Sequence, residues 1–135
     1  MSSRTFPGRY ESLAKVAEFV RIEARVAGLT FKDIFELETA VDEAVSNIIE
    51  HAYGGEGIGE IVCTCNQIEN GIQVILEDYG QPFDPSCVPL PDLNAELKNR
   101  KNNGLGYFLM CQLMDDVRFE FTAKSNRLTL TKHSK

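Results

Sequence analysis

The stretch from Glu36 to Tyr53 does most to constrain the fold, because it has the pattern of one amphipathic helix. With about 3.6 residues per turn, its apolar residues form a single stripe that must be buried against another layer. These residues are Leu37, Ala40, Val41, Ala44, Ile48 and Ala52. Glu43, Asn47 and His51 follow one another at intervals of four residues and form a polar row along one border of the stripe. The pair Glu43 and Asn47 suits a general base and a metal ligand facing a cleft, and it suits an ordinary half-buried helix border equally well.

Another helix and an edge strand are predicted before this stretch. Apolar residues recur at helical spacing from Tyr10 to about Ala27, and Gly28 ends that helix. Residues 3–8 could form a short edge strand. Thr30 is a suitable N-cap for the main helix, which the glycine-rich segment 54–59 terminates.

Four strands and a third helix are predicted in the second half of the chain. Glu60–Ile68 and Gly71–Glu77 are rich in Ile and Val and are joined by a hairpin turn. A helix that the segment Asn102–Gly106 opens and that runs through Met114 precedes a final antiparallel pair, Val117–Ala123 and Arg127–Thr131. This order predicts an α+β fold: a two-layer α/β sandwich with helices on one face of a mixed, mostly antiparallel sheet.

A long proline-rich segment connects the two pairs of strands. Prolines stand at positions 82, 85, 89 and 91, and a short helix is expected from Pro91 to about Arg100. A connection of this length in a small domain is usually a functional lid or a disordered loop. Residues 1–135 are expected to form one domain.

Composition and charge limit the classes of function. The chain has 135 residues, of which 43% are hydrophobic and 25% charged, and its formal net charge is −6. This is a globular composition, and an acidic chain without a basic run argues against nucleic acid as a direct partner. No apolar run approaches the ~20 residues that span a bilayer, and the N-terminal residues lack a signal-peptide core, so a cytoplasmic location without membrane contact is expected. Cysteines at 63, 65, 87 and 111 lack zinc spacing and are expected to be small buried hydrophobes in a reduced protein.

Two polar pairs are candidates for chemistry. At Asn47 an amide oxygen can ligate Mg²⁺, and at Glu43 a carboxylate can accept the proton of an attacking hydroxyl or water. Asp78 and Gly80 lie where the second predicted strand ends. A carboxylate there can accept a hydrogen bond from an exocyclic amine such as that of adenine, and Gly80 lacks the Cβ that would keep a ring away from the backbone. A plain turn explains Asp78 and Gly80 as well.

Gly104-Leu105-Gly106 opens the third helix after the long segment. Exposed amides and the positive end of the helix dipole make an anion site there. It is not a P-loop, because no Gly-Lys-Ser/Thr follows, and it is not a dinucleotide fingerprint, because no strand leads directly into it. A glycine-rich helix entry capped by Asn103 is the alternative.

Taken in order, these motifs resemble a known family. They are Glu36–Tyr53, Asp78–Pro85, Asn103–Met110, Met114–Val117 and Leu130–His133, and together they extend over essentially the full chain. The chain resembles the GHKL ATPase superfamily, whose nucleotide-binding domain has the histidine-kinase-like ATPase (Bergerat) fold. Within it, the chain is most similar to the small anti-sigma factor serine-protein kinases.

The resemblance implies a role for each matching position. Glu43 would be the general base, and Asn47 would ligate Mg²⁺ at the phosphates of ATP. Asp78 would bind the adenine amino group, with Gly80 allowing close approach. Residues 81–103 would form the ATP lid. The phosphates would meet the segment Asn103, Gly104, Leu105 and Gly106, whose glycines present amides beneath that lid.

Two positions depart from the family pattern, and a third adds to it. The family's phosphate-sensing arginine before the glycine pair is absent, so Arg100 or Lys101 would have to supply that contact. The threonine that many relatives place near adenine corresponds here to Ser125 or Asn126. His51 matches a histidine of the family and is expected to support the site without catalysing the reaction.

The implied function is an ATP- and Mg²⁺-dependent anti-sigma regulatory factor. It would phosphorylate a serine or threonine of an anti-anti-sigma (STAS-type) antagonist, and in its other partner state it would sequester an RNA polymerase sigma factor. No residues remain for the helical domain of histidine kinases, so the acceptor would lie on another chain. The family also forms homodimers, for which an apolar patch on the first helix or edge strand could serve. The alternatives are a nucleotide-dependent binding module with little or no kinase activity, which the missing arginine favours, and a degenerate interaction domain.

Overall fold

A five-stranded sheet packed against three helices makes up the computed structural model, which describes residues 1–83 and 105–134. A π-helical turn, Ile48–Ala52, continues the second helix. In chain order the elements are β1 (Ser2–Pro7), α1 (Ser12–Val26), α2 (Phe31–Asn47), β2 (Glu60–Ile68), β3 (Gly71–Asp78), α3 (Leu105–Leu113), β4 (Asp116–Phe121) and β5 (Asn126–His133).

The strand order β1-β2-β3-β5-β4 places β3 and β5 side by side near the middle of the sheet. All four pairings among the described strands are antiparallel, so the mostly antiparallel sheet is confirmed and no parallel pair lies within this part of the chain. In the register of β3 with β5, Asp78 is directly opposite Asn126. The last residue of one strand therefore meets the first residue of the other at one end of the sheet.

The apolar stripe of α2 lies in the core, as its periodicity predicts. Its members are between 0% and 4% exposed: Leu37, Ala40, Val41, Ala44, Ile48 and Ala52. Opposite them, alternate residues of β2 face the helices, among them Ile61, Cys63 and Cys65. The prediction that Cys63 and Cys65 are core residues is thus confirmed, whereas the prediction of burial is wrong for Cys111, which is exposed. Burial of each large apolar side chain stabilises the fold by about 1.5–3 kcal/mol.

The boundaries follow local hydrogen bonds. Thr30 caps α2 as predicted, because its hydroxyl oxygen accepts from the backbone N–H of Asp33 at 3.2 Å. The last strands differ from the prediction by one or two residues, since Thr122 and Ser125 close a tight turn through a 2.8 Å backbone bond and Asn126 already pairs in β5. The helix expected from Pro91 to Arg100 lies outside the described residues. No helix in the described part of the chain is long and apolar enough to cross a membrane.

Candidate functional site

Glu43 and Asn47 lie one turn apart on α2 and face the first turn of α3. A Cβ added at Gly106 would lie 2.5 Å from Oε2 of Glu43 and 3.7 Å from Nδ2 of Asn47. The backbone of α3 therefore comes close to both side chains, and the absence of a Cβ at Gly106 leaves room for the carboxylate of Glu43 in its present position. The structure brings together three residues that the sequence analysis proposed as site residues from two separate motifs.

The side chains of Glu43 and Asn47 are half-buried, and neither hydrogen-bonds to another described residue. Burial raises the pKa of Glu43 above its usual range, and the charge of Glu50 raises it further. A carboxylate with a raised pKa binds a proton more strongly than an ordinary one at the same pH. Glu43 is therefore suited to accept a proton, and Asn47 retains its oxygen for a ligand.

Asp78 closes β3 and is 3% exposed. Its Oδ1 accepts the backbone N–H of Gly80 at 3.0 Å and the amide of Asn126 at 2.8 Å. Burial raises the pKa of Asp78, while the bonds from Asn126 and Gly80 lower it and the charge of Glu77 raises it again. The carboxylate is thus fixed by two donors on one oxygen.

Gly80 has a packing reason that the sequence analysis did not foresee. A Cβ at this position would overlap the carbonyl oxygen of Ala52 at the end of the π-helical turn. The next residue, Gln81, donates its backbone N–H to the same oxygen at 2.8 Å. The glycine therefore lets the segment after β3 lie against the end of the α2 helix. Close approach of a ring to Gly80 stays a prediction.

The contrast between Gly80 and Gly106 gives a stability prediction. We expect Gly80→Ala to lower the free energy of unfolding by about 1–3 kcal/mol, because the new methyl group meets rigid backbone. Gly106→Ala should cost less, because its methyl group meets the movable end of Glu43. Urea unfolding of both variants beside the parent protein measures the difference, and equal stabilities would contradict the packing role of Gly80.

Asn47 on α2 and Asp78 at the end of β3 line one cleft at the end of the sheet. Asn47, Asp78 and Asn126 are the polar residues that the sequence analysis had proposed for it. Sequence reasoning missed the rest of the lining, which is largely apolar and includes Ala44, Ile48, Phe83, Met110, Phe119, Phe121, Arg127 and Leu128. Phe119 and Phe121 alternate along β4, and that period-two pattern was the available signal.

Most of the residues predicted to contact the phosphates fall outside the part of the chain that the structure describes. Arg100, Lys101, Asn103 and Gly104 lie outside the described residues, and Leu105 begins α3. The proposed phosphate contacts of this segment therefore stay predictions.

His51 does not join the cleft with Asn47. It is exposed, its ring lies 5.5 Å from that of Phe83, and its Nε2 lies 4.0 Å from Oε2 of Glu50. The expectation that His51 is a supporting residue stays a prediction.

The residues present fit an adenine nucleotide with Mg²⁺. Carboxylate and amide oxygens are the ligands that Mg²⁺ takes in proteins, and it needs few of them because it keeps several waters. Asn47 would hold the ion. Asp78 offers a buried acceptor for an amine. No cluster of three or more His, Cys, Asp or Glu side chains suited to a metal occurs in the described residues, so a dedicated all-protein metal cage is not found there.

A family model described as the histidine kinase-like ATPase domain matches residues 6–132. The chain belongs to this family. Similar proteins include serine-protein kinases RsbW of Bacillus cereus and Bacillus thuringiensis, 32% and 30% identical over 116 residues. Each match covers 83% of this chain and 72% of the relative. The predicted membership in the serine-protein kinase group of this superfamily is confirmed.

Two solved structures have a similar fold. The chain superposes with a TM-score of 0.64 on the RsbU and RsbW domains of Rv1364c from Mycobacterium tuberculosis, at 16% identity, over 98% of this chain and 32% of that one. With the catalytic domain of histidine kinase ThkA the TM-score is 0.58 at 15% identity, over 99% of both chains. The predicted histidine-kinase-like ATPase fold is therefore confirmed.

Proposed function

We propose that this chain is an ATP- and Mg²⁺-dependent serine/threonine kinase that acts on an anti-anti-sigma partner and, in its other partner state, sequesters a sigma factor. The observation that carries the proposal is the position of Asn47, which lies with Glu43 beside Gly106 at the start of α3 and lines one cleft with Asp78 at the end of β3. Glu43, Asn47 and Asp78 match the groups that phosphoryl transfer from ATP requires. Glu43 would be the general base, Asn47 the metal ligand, and Asp78 the hydrogen-bond acceptor that recognises adenine. Relatives named serine-protein kinase support a protein hydroxyl as the acceptor.

Asp78 and the apolar lining of the cleft would hold the nucleotide base. Asn47 would place its amide oxygen on Mg²⁺, whose charge would offset that of the phosphates when it is bound. The amides at the start of α3 would face the phosphates, with Gly106 next to both α2 side chains. Positioning of the two reactants would supply much of the rate.

Glu43 would act as the general base of the transfer. Its carboxylate would accept the proton of the acceptor hydroxyl as the hydroxyl oxygen bonds to the γ-phosphorus. At the same time the bond from that phosphorus to the β–γ bridging oxygen would break, and ADP would leave with the electron pair. The raised pKa of Glu43 favours this proton transfer.

The test is transfer of labelled γ-phosphate from ATP to a purified antagonist encoded in the same genome. We expect the label on a serine or threonine of the antagonist, and release of a bound sigma factor when unphosphorylated antagonist is added. Calorimetric binding of ATP without any transfer would instead favour a nucleotide-dependent binding module. The sequence observation behind that second candidate is the pair of asparagines at 102 and 103 in place of an arginine.

A further inference from the structure

One buried side chain, Asn126 at the start of β5, holds the end of β3. It is 5% exposed. Its Nδ2 lies 2.8 Å from Oδ1 of Asp78, 3.1 Å from the carbonyl oxygen of Gly80 and 3.4 Å from that of Gln81. All three atoms accept hydrogen bonds, so the NH₂ end of the amide must face them and its orientation is fixed.

We propose that Asn126 is a positioning residue that determines base specificity: its amide keeps Asp78 an acceptor, so that the cleft takes a base with an exocyclic amine and rejects one with a carbonyl there. This inference rests on the proposed function, because it concerns the same nucleotide cleft. The family resemblance suggested only that Asn126 lies near adenine. The new element is that Asn126 acts on the base indirectly, by holding Asp78.

The first argument is which oxygen of Asp78 remains for a ligand. Both hydrogen bonds that described residues make to this carboxylate end on Oδ1. Oδ2 has no hydrogen-bond partner within the described part of the chain. An ionised carboxylate has only acceptor sites, so Oδ2 would meet a donor on the ligand. An amine at the base edge provides that donor, and a carbonyl does not.

The second argument is the charge of the carboxylate. Burial favours the protonated form, which could donate to a carbonyl and so lose the discrimination. The donors Asn126 and Gly80 stabilise the ionised form and hold the pKa below the level that burial alone would set. Without the Asn126 amide, the backbone N–H of Gly80 would be the one described donor left to stabilise the ionised carboxylate of Asp78.

The other ionisable groups around Asp78 do not replace this role. The charge of Glu77 on β3 raises the pKa of Asp78. Burial and the charge of Asp78 raise the pKa of Tyr53, at the end of the α2 helix. Arg127 lines the same cleft but pairs with Glu77 at 3.2 Å. Asn126 is therefore the described side chain that donates directly to the carboxylate.

The experiment compares Asn126→Val with Asn126→Thr, a nearly isosteric pair in which only threonine keeps a donor. Calorimetric Kd values for ATP and GTP are measured for the parent and both variants across a pH series. We expect N126V to bind ATP roughly 10- to 100-fold more weakly near neutral pH, as loss of a hydrogen bond to a charged group implies. The ratio of the Kd for GTP to the Kd for ATP should fall by a similar factor. ATP affinity in N126V should recover as the pH rises, because Asp78 ionises again.

Asn126→Thr is expected to restore most of the ATP preference, since its hydroxyl can donate to Oδ1. Thr129→Val is the control: it replaces a hydroxyl by a methyl group elsewhere in β5, which is the difference between N126T and N126V. The preference of this variant for ATP over GTP should equal that of the parent. Equal loss of ATP and GTP binding in N126V, or N126T behaving as N126V does, would overturn the inference and leave the kinase proposal standing. A parent protein that binds neither nucleotide would overturn both. Should N126V fail to fold, Asn126→Ser against Asn126→Ala gives the same contrast.

Discussion

Replacing Glu43 by glutamine is expected to reduce phosphoryl transfer to the antagonist by roughly 10²- to 10⁴-fold, the usual contribution of a general base. Glutamine keeps the size of the side chain and its place beside Gly106 but cannot accept the proton of the hydroxyl. Nucleotide binding should change little, since the proposed contacts to the base and the metal belong to Asp78 and Asn47. The effect should therefore appear in kcat, with the KM for ATP close to that of the parent.

Asp42→Asn is the matched control for this prediction. Asp42 is the neighbouring carboxylate on α2, but its side chain is exposed and is not among those that lie next to Gly106. Single-turnover transfer of labelled phosphate separates the chemical step from binding. Transfer by Glu43→Gln at the parent rate would remove Glu43 as the base, and a similar loss in Asp42→Asn would indicate a general effect of charge on α2.

Periodicity predicted the α2 half of the site, because the spacing of apolar residues within one helix shows which of its faces is buried. The stripe Leu37 to Ala52 is buried, and Glu43 and Asn47 lie at its border as the spacing requires. His51, the third member of the predicted row, lies in the π-helical turn Ile48–Ala52, is exposed, and has its ring 5.5 Å from that of Phe83. Its supporting role stays a prediction.

Contacts between distant segments could not be predicted from the sequence. That Gly80 lies against Ala52 depends on how the end of β3 meets the end of the α2 helix, and no local pattern contains it. The position of Asn126 depends on strand register, which sets it opposite Asp78. A sequence assigns such a register only loosely, which is why Ser125 and Asn126 could not be told apart. In the structure Ser125 bonds to Glu77 and Thr122, and Asn126 bonds to Asp78.

Asp78→Asn is expected to weaken ATP binding by at least about 100-fold, because it places a donor where the ligand also has one. Two donors, the amide of Asn126 and the backbone N–H of Gly80, face Oδ1 in the parent. The variant's carboxamide must therefore put its oxygen on that side, and its NH₂ takes the place of Oδ2. An amine on the base would then meet an amine, whereas the carbonyl of GTP would find a donor, so the ratio of the two Kd values should move toward GTP.

The same substitution should not destabilise the protein, which separates its effect on binding from an effect on folding. Burial raises the pKa of Asp78, so its ionised form is less favourable in the folded chain than in the unfolded one. Stability from this group is present at low pH and is lost as the pH rises through the folded-state pKa, so at neutral pH its charge opposes folding. Removing that charge should leave the free energy of unfolding unchanged or raised. Glu77→Gln, on the adjacent residue, should keep ATP binding within a few-fold of the parent. Strong ATP binding by Asp78→Asn would show that the base lies elsewhere, and weak binding with a lowered unfolding free energy would assign Asp78 to the fold alone.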